Sequence, residues 1–255
     1  MTSKVIVITG ASSGIGAALA KQLAARGDKV VLAARREAEL KAAAKECGGD
    51  AMAVVTDVTR RSDVERLRDS AIQKFGHIDV WVNNAGRGIG RQVLDLTNDD
   101  VDQMLAVNFK SALYGMQAIV PHFKECKSGH VINVSSALGR IPFASYRSIY
   151  SASKAALNSL TANLRMDLRA EYPGIYVSVV MPPVVKTDFA KNALYGTPGG
   201  SYSAANAQTA EQVAAAIVDL IDHPRAELYT NPGQAEMVAR YYADVQAFEE
   251  NMARR

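Results

Sequence analysis

Short runs of β-branched and other apolar residues alternate along the chain with longer stretches in which Ala and Leu recur on one helical face. The first run, Val5–Thr9, predicts a strand, and Ile15–Arg26 predicts a helix. The pattern repeats as strand Lys29–Ala34 with helix Glu37–Cys47, and as strand Ala51–Thr56 with helix Ser62–Phe75. Ile78–Asn83 predicts a strand. A long helix then begins near Thr97, where Thr97 and Asp100 have the spacing of a capping box. His130–Val134 predicts a strand, Ser151–Glu171 a helix and Tyr176–Met181 a strand. Thr209 with Gln212 marks another helix start, and Glu227–Thr230 a last strand.

Strict strand and helix alternation with continuously apolar strands predicts an α/β fold: a parallel sheet covered on both faces. Right-handed crossovers make that sheet doubly wound, with ligands at the carboxyl ends of its strands. The 255 residues are enough for one sizeable core, and no linker or repeat divides them, so residues 1–255 read as a single domain. One stretch, 188–208, lacks periodicity and is rich in Ala, Gly, Ser and Asn, with Tyr195 and Tyr202. Loops this long are uncommon in compact domains unless functional, so it is expected to be a substrate-binding lid. The tail from Gln234 to Arg255 reads as helical and suited to packing on a neighbouring subunit.

Composition narrows the function classes. The net charge is +3, and the basic pairs Arg35-Arg36, Arg60-Arg61 and Arg254-Arg255 lie far apart, so no basic stripe is available to nucleic acid. Two cysteines, Cys47 and Cys126, and four scattered histidines indicate neither a disulfide framework nor a metal site. The first apolar run ends at Gly10, too short for a signal peptide core, and no segment approaches membrane-spanning length. A cytoplasmic location is expected.

The first strand runs into Thr9-Gly10-Ala11-Ser12-Ser13-Gly14-Ile15-Gly16 as a helix begins. Glycines there permit a tight turn and close approach of a pyrophosphate, which the free N–H groups of the helix start attract. The spacing Gly-x3-Gly-x-Gly differs from the usual dinucleotide fingerprint. An acidic residue at the end of the second strand would bind a ribose and repel a 2′-phosphate. Here the positions are Ala33-Ala34-Arg35-Arg36. Arg35 offers a charge-assisted fork to a phosphate, and Ala34 leaves room for it, so the expected cofactor is NADP(H). Asp57, beyond the third strand, offers a carboxylate to the adenine amino group, and Asn83-Asn84-Ala85-Gly86 ends the fourth strand beside the cofactor.

Tyr150 and Lys154 lie four residues apart at a helix start and project from one face. A free tyrosine has a pKa near ~10. A neighbouring ammonium and an oxidised nicotinamide would lower it toward the range a proton donor and acceptor needs. Upstream, Ser135-Ser136 ends a strand at the carboxyl edge of the sheet, and Asn108 sits inside the long helix, where Asn is a mediocre helix former.

These features together resemble the short-chain dehydrogenase/reductase family over essentially the whole chain. TGASSGIG, Asp57-Val58, NNAG, Asn108, Ser135-Ser136 and YSASK occur in that family's order and at close to its spacing. The resemblance implies a seven-stranded, doubly wound, Rossmann-like sheet and a catalytic set of Asn108, Ser136, Tyr150 and Lys154. Asn108 would hold a water in a proton relay, and Ser136, followed by Ala137-Leu138-Gly139, would hydrogen-bond the substrate carbonyl. Tyr150 would protonate the nascent alkoxide. Lys154 would lower the phenol's pKa and bond the nicotinamide ribose. The cofactor set carried over is Gly10, Ser12, Ser13, Gly14, Ile15, Gly16, Arg35, Asp57, Val58, Asn84, Ala85, Gly86, Tyr150, Lys154, Pro182, Val185 and Thr187. A homo-oligomer, tetramer or dimer, is implied as well.

Two departures stand out. The interval from Ser136 to Tyr150 is one residue longer than is commonest in the family, which implies a larger loop at Gly139–Ser148. Pro183 follows Pro182 where the family usually has Gly, which stiffens the backbone beside the nicotinamide.

The substrate pocket is expected near Arg87–Gly90, Leu138–Tyr146 and Pro183–Leu194, with Ile141, Phe143, Tyr146 and Phe189 giving it apolar character. The expected reaction is reduction of a small-molecule ketone or aldehyde, or the reverse oxidation of a secondary alcohol. Two other readings stay open at this point. A 3-oxoacyl-carrier-protein reductase would use Lys186 and Lys191 to hold an acidic carrier. A catalytically silent NADP-binding sensor would have no need of Tyr150 beside Lys154.

Overall fold

Seven parallel strands, in the order β3-β2-β1-β4-β5-β6-β9, form the central sheet of the computed structural model, which describes residues 3–196 and 207–253. They are β1 (Val5–Thr9), β2 (Lys29–Ala34), β3 (Met52–Val55), β4 (Val80–Asn83), β5 (Gly129–Val134), β6 (Ile175–Met181) and β9 (Glu227–Tyr229). A separate two-stranded ribbon pairs β7 (Val185–Lys186) with β8 (Gln208–Thr209). The chain reverses direction across the sheet between β1 and β4, so a crevice opens at their carboxyl ends.

The alternation of side chains along each strand divides the core into two layers. Ile6 and Ile8 of β1 face one side, with Leu19 and Leu23 of α1 (Gly14–Ala25) and Val213, Ile217 and Leu220 of α7 (Ala210–Asp222). Val5 and Val7 face the other side, with Leu67 of α3 (Arg61–Phe75), Ile119 and Phe123 of α5 (Ser111–Cys126) and Leu168 of α6 (Ser148–Arg169). Every residue of β1 is therefore buried, which is why its sequence carries no polar alternation. The remaining helices are α2 (Glu37–Cys47), α4 (Asn98–Leu105), α8 (Gly233–Ala243) and α9 (Val245–Ala253). Among the described residues, no helix is long and apolar enough to cross a membrane.

Both capping boxes form. Thr97 accepts from the Asp100 N–H and Thr209 from the Gln212 N–H, and in each pair the partner side chain returns the bond. Three details differ from the periodicity. The helix from Thr97 is not uniform: a π-helical turn, Ala106–Lys110, interrupts it between α4 and α5. An apolar pattern does not report such a turn, since one extra residue leaves both flanking stripes intact. α6 starts at Ser148 rather than Ser151, which places Tyr150 within its first turn. The tail is two helices rather than one, because Asp244 between them adopts extended geometry. Of the expected lid, residues 188–196 and 207–208 are described, and 197–206, including Tyr202, lie outside the described residues.

A chain of buried polar side chains runs beneath the crevice. Trp81 Nε1 donates to Asn83 Oδ1 at 2.8 Å, Asn83 Nδ2 to Asn133 Oδ1 at 2.8 Å, and Asn133 Nδ2 to Thr161 Oγ1 at 2.9 Å. Each bond is worth about 1 kcal/mol net, but breaking one strands a buried polar atom, so the chain fixes β4, β5 and α6 in register.

Candidate active site

The crevice is a cavity of about 660 Å³ at the carboxyl edge of the sheet. That lies within the ~300–1,000 Å³ typical of small-molecule and cofactor sites. Its floor is the turn from β1 into α1. Gly10 and Gly14 have φ of +68° and +57°, a region that L side chains rarely adopt. A Cβ at Gly10 would lie 2.8 Å from Ala85 Cα, and one at Gly16 would lie 2.6 Å from Gly10 O. The turn is therefore packed at backbone distance against the end of β4. Asn84 completes the junction, donating from Nδ2 to Thr9 O at 2.8 Å and from its N–H to Thr9 Oγ1 at 3.0 Å.

At one end of the cavity stand Ala34, Arg35 and Arg36. The sequence singled out Arg35, yet it is Arg36 that bends over the glycine turn. Its Nη2 donates to Ser13 Oγ at 3.0 Å and to Ser12 Oγ at 3.2 Å, and its Nη1 lies 3.3 Å from Glu39. Both arginines line the cavity, and Arg36 is the one bonded to the serines of the turn.

At the other end are the residues expected to carry the chemistry. Tyr150 is buried, and its hydroxyl is hydrogen-bonded to Ser136. Ser136 Oγ also accepts from Leu138 N–H at 3.2 Å, whereas Ser135 Oγ points back to Lys154 O at 3.1 Å. The two serine side chains thus point to different partners. Lys154 is also buried, with Nζ donating to Val134 O at 2.8 Å and standing 5.9 Å from the centre of the Tyr150 ring. Asn108 lies in the π turn, where its Oδ1 accepts from Arg87 N–H at 2.9 Å and its Nδ2 donates to Arg87 O at 3.0 Å. Gly86 adjoins both groups: a Cβ there would be 3.1 Å from Asn108 Oδ1 and 3.5 Å from Lys154 Nζ.

Burial acts on both Tyr150 and Lys154. It raises the Tyr150 pKa above the usual phenol value, opposed by the Ser136 hydrogen bond and the charge of Arg147. Burial also lowers Lys154, to about 8.

Of the expected cofactor residues, Gly10, Ser12, Ser13, Gly14, Ile15, Arg35, Val58, Asn84, Ala85, Gly86, Pro182, Val185 and Thr187 line the cavity with Tyr150 and Lys154. Gly16 and Asp57 of that set, and Asn108 of the expected catalytic set, do not line it. The Asp57 carboxylate accepts from Thr59 N–H and Thr59 Oγ1, while Thr56 and Val58 on either side face the cavity. Among the residues expected to shape the pocket, Phe143, Tyr146 and Phe189 line it. Ile141 does not; it is buried away from the opening.

Arg147 was missed by the sequence reading; it is a buried residue of the cavity wall, three positions before Tyr150. Its signal was present in that spacing. The segment 188–196 folds over the mouth. The Phe189 ring meets Tyr150 edge-on at 5.6 Å, and Leu194 bridges Ile89, with Leu194 N–H donating to Gly88 O and Gly90 N–H to Leu194 O. Among the described residues, no group of three or more His, Cys, Asp and Glu side chains is arranged to hold a metal ion.

Comparison with known proteins agrees with this layout. The family model described as short chain dehydrogenase matches residues 4–196. An uncharacterized oxidoreductase of Staphylococcus epidermidis is 34% identical over 221 residues, covering 87% of this chain and 92% of its own. A short-chain dehydrogenase/reductase from Burkholderia phymatum, solved in complex with NAD, superposes with a TM-score of 0.87 at 28% identity, covering 96% of this chain and 95% of that one. A short-chain dehydrogenase from Sphingobium yanoikuyae in complex with NADPH gives 0.80 at 27% identity, covering 98% and 95%. With its doubly wound sheet, glycine turn and Ser136–Tyr150–Lys154 cluster, the chain belongs to the short-chain dehydrogenase/reductase family.

Proposed function

We propose that the protein transfers a hydride between NADP(H) and a carbonyl or secondary alcohol, with Tyr150 as general acid and base. The observation that carries this reading is the contact of Ser136 with the buried Tyr150 hydroxyl, one helical turn from Lys154, in a cavity floored by the glycine turn. The cavity suits a dinucleotide, because its floor is bare backbone where Cβ atoms would intrude. When bound, the cofactor supplies or receives the hydride.

The chain's own residues position the substrate and move the proton. Ser136 Oγ donates to the carbonyl oxygen. Tyr150 delivers its proton to that oxygen as the alkoxide develops, or withdraws it during oxidation. Lys154 keeps its place through Val134 O and would bond the nicotinamide ribose of a bound cofactor. Asn108 Oδ1 and Lys154 Nζ converge beside Gly86, and Asn108 keeps one lone pair and one proton beyond its bonds to Arg87. A water between them would resupply the phenol.

The preference for the phosphorylated cofactor rests on two arginines, Arg35 and Arg36, lining the cavity's far end where the second strand ends without a carboxylate. The related structures bind NAD in one case and NADPH in another. Phe143, Tyr146, Phe189 and Leu138 favour an apolar or aromatic substrate. Lys191, one of the lysines available to an acidic carrier, is paired with Asp188 at 2.8 Å, which favours a free small molecule over a carrier-borne one. A homo-oligomer suits the exposed Val93, Leu94 and Met166 and would be read by light scattering.

The test is a panel of ketones, aldehydes and secondary alcohols assayed with NADPH and NADH. Turnover with NADPH preferred supports the reading; no turnover of any compound with either cofactor overturns it.

A further inference from the structure

Tyr150, Lys154 and Asn158 occupy successive turns of α6, and all three are buried. The first two belong to the expected catalytic set; Asn158 does not. Lys154 grips the end of β5 through Val134 O, and Asn158 grips the turn that follows, its Nδ2 donating to Gly139 O at 3.0 Å. That carbonyl ends the single 3-10 turn Ala137–Gly139, and Ser136 caps its start. The turn closes on Ser136 twice, since Leu138 N–H donates to Ser136 Oγ at 3.2 Å and Gly139 N–H to Ser136 O at 3.0 Å. It also lies directly on the helix. A Cβ at Gly139 would stand 2.8 Å from Asn158 Nδ2, 2.9 Å from Lys154 C and 3.0 Å from Lys154 O. Ser135 Oγ donates to the same Lys154 O at 3.1 Å. Segment 135–139 is thereby seated on one stretch of α6, with Asn158 bonding its far end.

The other half of the amide points to what the residue is for. Asn158 Oδ1 is buried with no hydrogen-bond partner among the described residues. Turning the amide over would set Oδ1 against Gly139 O, so that carbonyl dictates the orientation. A leucine of similar shape would fill the space without leaving a side-chain oxygen unbonded, so packing alone does not call for Asn. What only the amide supplies is a donor to Gly139 O.

We propose that Asn158 is a positioning residue for the reaction: by holding Gly139 O it fixes the turn that begins at Ser136, and so the place of the Ser136 hydroxyl at the substrate carbonyl. This rests on the function given above, in which Ser136 Oγ donates to that carbonyl. Asn158 is not part of the cavity wall, so it acts through the turn and not on a bound molecule. The glycine turn between β1 and α1 has its own packing against the end of β4, so the floor that a dinucleotide would use does not depend on this bond.

The experiment is a double-mutant cycle in the full chain, with Asn158→Leu made in the parent and in a Ser136→Ala background. Single-turnover rates are read with NADPH and the carbonyl compound that the parent reduces fastest, and NADPH affinity by fluorescence titration. In the parent, Asn158→Leu is expected to lower the rate by roughly 10–100-fold, the cost of a misplaced reacting contact, with NADPH affinity unchanged. In the Ser136→Ala background the same substitution should change the rate by less than about twofold, since no hydroxyl is left to position. Asn158→Gln, which keeps a donor, is expected to recover part of the parent rate. Asn158→Ala gives the same reading should the Leu variant not fold, and the Gln rescue decides should the Ser136→Ala background be too slow to read. Equal losses in both backgrounds overturn the proposal and make Asn158 a residue of general stability. A Leu variant as fast as the parent, or a Gln variant no faster than Leu, also overturns it. A parent that turns over nothing overturns the function and this proposal together, whereas an active parent with equal losses overturns the proposal alone.

Discussion

Lys154 Nζ stands 5.9 Å from the centre of the Tyr150 ring and gives a hydrogen bond to Val134 O, so helix α6 meets strand β5 through the lysine. The phenol's own hydrogen-bond contact is Ser136. Removing the Tyr150 hydroxyl therefore leaves the lysine's anchorage and the cavity walls in place. Tyr150→Phe is expected to lower kcat by roughly 10²–10⁴-fold, the usual worth of a general acid. NADPH affinity, measured by fluorescence titration, should stay unchanged. Retained turnover would remove Tyr150 from the chemistry.

Two arginines share the end of the cavity beyond β2, with Arg36 spread over the hydroxyls of Ser12 and Ser13. A charge-assisted bond is worth about 1.5–3 kcal/mol. Arg35→Asp should accordingly erase or invert the ratio of kcat/KM for NADPH over NADH, by roughly 10–100-fold. Arg36→Ala should weaken NADPH alone and leave NADH nearly untouched. Equal use of both cofactors by the unmodified protein would deprive the arginines of a phosphate role.

Gly16 abuts backbone rather than a flexible side chain: a methyl group there would meet Gly10 O at 2.6 Å and Ala11 Cα at 3.0 Å. Gly16→Ala is expected to cost about 1–3 kcal/mol of stability, as overpacking does. It should weaken cofactor binding as well, because the turn must open. Thermal melting with and without NADPH checks both; a variant as stable as the parent would mean that the turn yields freely.

His130 is buried in β5, with Nε2 and Ser178 Oγ 2.8 Å apart, and its pKa is lowered to about 4 by burial, with the charge of Lys4 adding to the effect. Between that value and the unfolded 6.5, the unfolded chain binds more protons, so the protein loses stability as pH falls through this window. The loss should reach about 3 kcal/mol below pH ~4, at roughly 1.4 kcal/mol per unit. His130→Gln, which cannot titrate, should flatten the dependence of the urea midpoint on pH. An equally steep profile would assign the acid sensitivity to other groups.

The sheet was legible because its strands are buried on both faces, so β1 reads as Val5-Ile6-Val7-Ile8 without interruption. The glycine turn and the Tyr150–Lys154 pair were legible because they are local, fixed by spacing along one segment. What was not legible depends on approach between distant segments. The choice of Arg36 over the glycine turn, the burial of Ile141 and the anchoring of Arg147 to Ile89 are all settled by how loops pack.

The π turn at Ala106–Lys110 holds one residue more than an α-helix of that length would. Deleting any one residue there would return the segment to a regular α-helix, with α4 and α5 keeping their mutual orientation, and would remove the bulge that presents Asn108. The amide of Asn108 would then swing off the Arg87 main chain that it grips from both sides. Ordinary helices absorb a lost residue by sliding or fraying at their ends, but this one is pinned by Thr97 and Asp100 before it and by the packed face of α5 after it. Length, more than residue identity, is what this stretch has to keep.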